Sequence, residues 1–347
     1  MTPLKTTYLG LQLKNPVIIG ASNLVTDEEN LEKLERAGAA AIVYKSLFEE
    51  QIQLESHELD LAHDLYSHWD AEYASMFPKA EHAGPMEHLV ALRKARQCIS
   101  IPLIGSLNAV FDESWVEYAA KMAETGIDAL ELNFYANQID PALDGEELVE
   151  HQIEVLKLVK DAVSIPVSVK LSPFYSNTLN VVSRMDEVGT DGFVLFNRLF
   201  QPDIDVIKEE HQYPYNFSSE NENRLALRYA GLLYGNISGS ICSNTGIFSG
   251  DDVIKMILAG ADAVQVVSTI YKKGIGQIER MLDDIEEWME TKHYRSLADF
   301  RGKLSRQKLA DPFAYKRAQY VDILMKSDVF MQYHPKQDKR SHEWGES

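Results

Sequence analysis

Short apolar runs alternate with amphipathic stretches along most of the chain. In order, the runs are Pro16-Val-Ile-Ile-Gly20, Ala41-Ile-Val-Tyr44, Ile101-Pro-Leu-Ile-Gly105, Ala129-Leu-Glu-Leu-Asn133, Val167-Ser-Val-Lys-Leu171, Gly192-Phe-Val-Leu-Phe-Asn197, Gly239-Ser-Ile-Cys-Ser243 and Ala263-Val-Gln-Val-Val267. Each is too short for a helix and rich in residues that suit a buried strand. The amphipathic stretches between them share a cue, seen in ERAGAAAIVY, AETGIDALEL, DEVGTDGFVLF and ILAGADAVQVV. A helix stops at glycine and a strand begins a few residues later. Eight strands alternating with helices predict a (β/α)8 TIM barrel; an open doubly wound sheet is the alternative, because spacing does not show closure.

Two strand-to-strand gaps, residues 45–100 after the second strand and 198–238 after the sixth, are too long for one helix each. They predict insertions on the C-terminal face of the barrel, where lids and substrate covers are built. No linker divides residues 1–330, which read as one domain, and 331–347 form a polar tail without periodicity.

Composition narrows the function more than the fold. The 347 residues are 45% hydrophobic and 25% charged, ordinary globular values. Lys and Arg number 34 against 53 Asp and Glu, a formal charge of −19. That balance argues against nucleic acid or an anionic membrane surface as a partner, since both call for a basic footprint. The two cysteines, Cys98 and Cys242, are far apart and in no metal-like spacing, which suits a reducing compartment. The first twenty residues hold no apolar run long enough for a signal peptide or a membrane span, so a cytoplasmic protein is expected. No metal is expected.

In a barrel, polar residues at the C-terminal ends of the strands are candidates for the site. Here they are Ala21-Ser22-Asn23, Lys45-Ser46, Asn108, Asn133, Lys170, Asn197, Ser243-Asn-Thr-Gly-Ile247 and Ser268-Thr269. The last two pieces, within NTGIFSGDD and VVSTIYKKG, follow strands and open helices, so their N–H groups suit a phosphate. Lys170 lies in a strand otherwise apolar on both sides. It must reach the rim or meet an anion, and it suits either a Schiff base or a charge held against a reduced cofactor. Lys45 faces a competing reading as a surface partner of Glu49 or Glu50. Cys242 reads as an inert core residue.

Taken together, TTYLGLQLKNPVIIGAS, YKS, ELN…N, VSVKLSP, a strand ending in Asn, and NTGIFSGDDVIKMILAGADAVQVVST resemble the dihydroorotate dehydrogenases, in order and spacing along most of residues 5–280. The resemblance implies a (β/α)8 barrel that binds FMN and oxidises dihydroorotate to orotate in pyrimidine biosynthesis. It implies Ala21 and Ser22 along the flavin, Lys45 and Ser46 at its ring edge, and Asn108 among the cofactor contacts. Asn133, Lys170 and Asn197 would face the ring and the substrate, and Thr245, Gly246 and Ser268 would hold the phosphate. Asn133, Asn137, Asn197 and Arg198 are the implied substrate contacts. A homodimer and a separate electron-transfer partner follow from the same resemblance.

The substrate side departs from the family pattern. Between Asn133 and Asn137 there is no Cys or Ser to act as a base, the Asn-rich loop after the second strand is replaced by SMFPKAEHAGPMEHL, and Arg198 stands where Ser or Thr is usual. Tyr135, Lys45 and Lys170 are therefore the candidate catalytic residues. A phenol ordinarily titrates near about 10, so Tyr135 suits a proton donor better than a base. His63, His68, His82 and His88 are alternatives in the 45–100 segment, where polar surroundings favour a surface position. Two other functions stay open: a flavin-binding protein without dehydrogenase activity, and a non-redox phosphate-binding aldolase using Lys170.

Overall fold

The structure, a computed structural model, describes residues 4–52, 85–109, 112–134, 141–142, 144–198, 202–212 and 217–325. The chain divides into two compact units, Met1–Lys308 and Leu309–Ser347. In the smaller unit the described part is a short 3-10 turn, Phe313–Tyr315, and the helix Ala318–Met325.

All eight predicted strands form. They are β1 (Val17–Ile19), β2 (Ala41–Val43), β3 (Leu103–Asn108), β4 (Ala129–Asn133), β5 (Val167–Leu171), β6 (Gly192–Leu195), β7 (Ser240–Asn244) and β8 (Ala263–Val266). Every neighbouring pair is parallel. β8 pairs with β1 through Val264↔Val17 and β2 with β3 through Ile42↔Leu103, so the sheet closes into a barrel rather than ending in open edges. Helices cover its outside: α1 (Glu28–Arg36), α2 (Pro85–Cys98), α3 (Asp112–Ala123), α4 (Gly145–Ala162), α5 (Thr178–Glu187), α6 (Arg224–Leu233), α7 (Gly250–Ala259), the short α8 (Ser268–Lys273) and α9 (Gln277–Thr291). Among the described residues no helix is long and apolar enough to cross a membrane.

The punctuation read from the sequence has a structural cause. Gly38, Gly126, Gly189 and Gly260, the glycines of the shared cue, all adopt positive φ, where a β-carbon would be strained. At the other helix ends, Asp27, Asp144 and Ser249 accept from backbone N–H groups of the first turns of α1, α4 and α7.

Side chains alternate between the inside and the outside of the barrel. The lower interior is apolar: Tyr8, Leu9 and Leu13, from an antiparallel hairpin of Thr6–Tyr8 and Leu11–Leu13, pack with Ile18, Val43, Ile104, Ala129, Val194, Cys242 and Ala263. Cys242 is fully buried, and burial pushes its thiol well above the usual range, as befits a core residue. One step further along the strands the interior turns polar. Ser106, Glu131, Ser168 and Gln265 all lie buried there, directly beneath the strand ends. The 198–238 segment carries a second hairpin, Asp203–Asp205 with Glu210–Gln212, before α6, so an insertion stands at that place. Of the 45–100 segment, the short strand Leu47–Phe48 and α2 are described, and residues 53–84 lie outside the described part.

Candidate active site

A cavity of about 310 Å³ opens at the C-terminal ends of the strands. Its wall includes Ala21 after β1, Ser46 after β2, Asn133 at the end of β4, Lys170 on β5, and Asn197 and Arg198 after β6. Thr245 and Gly246 after β7 and Ser268 after β8 complete the set. Residues spread over more than two hundred positions thus meet in one place.

The polar groups on the wall are tied together. Register sets Asn133 beside Lys170. Asn197 Nδ2 donates to Asn133 Oδ1 at 2.5 Å, and Asn108 Nδ2 donates to the Asn133 carbonyl at 3.0 Å. Asn108 therefore braces the end of β4 and is not among the lining residues, whereas Asn133 and Asn197 present amides to the cavity. Ser46 and Ser106 share a hydroxyl–hydroxyl bond of 2.7 Å that anchors the turn after β2. Ser22 is set back from the wall, and its buried Oγ has no hydrogen-bond partner among the described residues.

Lys170 meets both of its sequence readings at once. Its Nζ lies 3.6 Å from the Glu131 carboxylate and 3.4 Å from Gln265 Oε1, while the side chain still lines the cavity. Gln265 also spans to Glu131, donating from Nε2 at 2.6 Å. Glu131 was not a candidate from sequence because its neighbours Leu130 and Leu132 make the strand read as plain core. Its one signal was a carboxylate at a period-2 position inside a barrel strand.

The β7 and β8 loops are joined by a residue that carries no motif. Ser218 Oγ accepts from Gly246 N–H at 3.2 Å, its own N–H donates to Ser268 Oγ at 2.9 Å, and its carbonyl accepts from Lys272 Nζ at 2.8 Å. Thr245 and Gly246 both adopt left-handed backbone, φ 69° and 73°. At Gly246 a β-carbon would sit 2.5 Å from the Asn223 nitrogen, so only glycine fits. Asn223 in turn donates to the Gly246 carbonyl and to Asp252, the residue that closes the capping box of α7 with Ser249. The N–H groups of Ser268 and Thr269 at the start of α8 have no acceptor within the helix, so this side of the cavity offers donors and no carboxylate among its lining residues.

Arg198 pairs with Glu222, and its other guanidinium nitrogen donates to the Phe217 carbonyl at 3.3 Å. It stands between the main cavity and a second one of about 250 Å³, walled by Phe174, Phe196, Leu225 and Ala226 with Asn197 and Thr245 at the junction.

Lys45 follows β2 and is half-buried, outside the cavity lining. His88 departs from the surface position expected for it. It lies on the buried face of α2, edge-on to Tyr44 at 5.5 Å, because that face, with Leu89, Leu92 and Ala95, packs onto the barrel. Burial, and then the charge of Lys45, bring its pKa down to about 4. Tyr135 and Asn137 lie outside the described residues, as do His63, His68 and His82.

These residues fit FMN. The cavity has no carboxylate among its lining residues and brings Ser268 at the start of α8 together with two cations, Lys170 and Arg198, and two asparagine amides, which matches an anionic phosphate and a polar ring edge.

Comparison with known proteins agrees in kind. A family model described as dihydroorotate dehydrogenase matches residues 74–289. Among curated relatives, the dihydroorotate dehydrogenase B (NAD(+)) catalytic subunit of Methanocaldococcus jannaschii is 26% identical over 296 residues, covering 83% of this chain and 94% of the relative. The corresponding subunit of Thermoplasma volcanium is 26% identical over 317 residues, covering 87% and 98%. Dihydroorotate dehydrogenase A (fumarate) of Lactobacillus delbrueckii subsp. bulgaricus is 30% identical over 193 residues, covering 54% and 62%.

Proposed function

The chain belongs to the dihydroorotate dehydrogenase family of FMN-dependent oxidoreductases, and from that premise we propose that it oxidises dihydroorotate to orotate, or the equivalent CH–CH bond of a closely related small planar ring, in the cavity at the mouth of the barrel. The observation that carries this reading is the convergence of Lys170, Asn133 and Asn197 with the Thr245–Gly246 turn and Ser268 around one cavity.

FMN, when bound, supplies the two-electron acceptor. In this reading Thr245, Gly246 and Ser268 hold its phosphate, Ala21 and Ser46 flank it, and Lys170 stabilises the negative charge that reduction adds. Ser22, Lys45 and Asn108 act from behind the wall. The amides of Asn133, Asn137 and Asn197 orient the ring by hydrogen bonds to its carbonyl and N–H groups, and Arg198 offers a cation to its carboxylate. Tyr135 stands in for the missing Cys or Ser: its phenol donates the proton in the reductive direction, and the same phenol–phenolate pair accepts it in the oxidation.

An aldolase-type role for Lys170 is less well supported. A Schiff-base former presents a free amine lone pair, whereas Lys170 Nζ lies between two oxygen acceptors, Glu131 Oε1 and Gln265 Oε1. The two relatives named as catalytic subunits suggest that a separate chain passes the electrons on. A homodimer and a cytoplasmic location belong to the same reading.

The test is direct. Purified protein is yellow with bound FMN, and anaerobic addition of dihydroorotate bleaches the flavin absorbance. In Tyr135→Phe the bleaching slows by roughly 10²-fold or more. A colourless protein that takes up no FMN removes the flavin reading. A yellow protein that dihydroorotate never bleaches removes this substrate.

A further inference from the structure

Glu131 touches neither the cavity nor solvent, yet it is the acidic member of a polar group that spans the barrel. It sits on β4, and Gln265, which donates to it at 2.6 Å, sits on β8, the strand on the opposite side of the eight-stranded ring. Lys170 comes from β5, with its Nζ 3.6 Å from Glu131 Oε1 and 3.4 Å from Gln265 Oε1. Of the three, Lys170 and Gln265 line the cavity and Glu131 lies beneath them. Its side chain is 1% exposed, against 12% for Lys170.

A buried carboxylate is costly and persists only with partners that satisfy it. Here one oxygen is satisfied by the Gln265 amide, and the other faces Lys170 without a hydrogen bond of its own among the described residues. The arrangement has two physical effects. Because Gln265 gives its N–H to Glu131, its carbonyl oxygen is left towards the ammonium, so the lysine is drawn from two sides over the barrel interior. The negative charge also opposes, through a poorly screened interior, the field that Lys170 presents to the cavity.

We propose that Glu131 is a positioning residue that, through Lys170 and Gln265, sets how strongly the cavity favours the reduced form of its bound flavin. The proposal rests on the FMN reading above. Taking up two electrons and one proton leaves the flavin with one added negative charge. A cation at the cavity floor makes that reduction easier, and an anion behind the cation makes it harder. Glu131 would thus hold the midpoint potential below the value Lys170 alone would give.

The experiment is the midpoint potential of the flavin in the intact holoprotein, measured against a reference dye, for wild type and Glu131→Gln. The amide keeps the shape and can still accept from Gln265, but the charge is gone. The midpoint is expected to rise to a less negative value while FMN content stays stoichiometric. Glu131→Asp keeps the charge but draws it back by one methylene, which breaks the Gln265 bond and weakens the hold on Lys170, so its midpoint rises by a smaller amount. A purely structural Glu131 would lower FMN content and leave the midpoint where it was. If Glu131→Gln does not fold, Glu131→Asp decides by the same measurement. A midpoint equal to wild type in the variant that folds overturns the proposal. Loss of the flavin reading is a separate outcome, visible beforehand in a wild-type protein that binds no FMN.

Discussion

At Gly246 the chemistry of the site and the stability of the chain depend on the same missing β-carbon. Its φ of 73° and the Asn223 nitrogen 2.5 Å from where a β-carbon would stand leave no room for a side chain. Both obstacles are backbone, which cannot rotate away. Gly246→Ala is therefore expected to destabilise the protein by about 1–3 kcal/mol and to weaken FMN binding, as read by denaturant titration and by flavin fluorescence on dilution. The glycine was visible in NTGIFSGDD as a turn signal, but its neighbour Asn223 lies 23 residues earlier in a segment without a motif. Asn133, Lys170 and Asn197 were equally legible, because polar residues at strand ends stand out against apolar strands. Glu131, Gln265 and Ser218 were not: their roles depend on partners 134, 95 and 28 residues away, and no local pattern encodes such a distance.

At the scale of elements, the turn from β7 into α7 has its own stabilising device. Asp252 accepts from the N–H groups of Phe248 and Ser249 and from the Ser249 hydroxyl, and it receives the Asn223 amide and the Lys255 ammonium as well. Burial raises its pKa, but the Phe248 N–H, Lys255 and Ser249 together outweigh burial and hold it below the usual aspartate value. A carboxylate depressed in the folded state adds stability above its unfolded pKa, and that contribution disappears as pH falls through the folded value. Asp252→Ala is thus expected to cost about 1–2 kcal/mol near neutral pH. The gap between variant and wild type should close as the pH is lowered below about 4, which paired urea titrations across pH would show. A gap that widens with acid would contradict this account of the turn. The helix-ending glycines and the eight strands were readable from sequence because each obeys a local rule of φ or period. The two small hairpins were missed: their strands are three residues long, too short for alternation to register.

For the whole molecule, the cavity gathers loops from around the barrel mouth, so its ligand should bind the folded state alone. FMN at 100 times its dissociation constant is then expected to add about 2.7 kcal/mol of stability, seen as a higher Tm for holoprotein than for protein stripped of flavin. An unchanged Tm on adding FMN to stripped protein would mean that the cavity does not hold it. The same gathering explains why Ala21 and Ser268, far apart in sequence, share a wall: closing the sheet brings β8 against β1.

By itself the sequence determined the repeated strand–helix unit, the strand ends at which polar residues cluster, and the acidic charge balance. Those properties follow from the period of side chains along a strand or helix and from composition, both of which are local or additive. Only the tertiary structure decided that the sheet closes, that His88 turns inward, and that Lys170 shares its charge with Glu131 beneath the cavity. Each of these depends on which elements lie next to one another, and no local pattern along the chain records that adjacency.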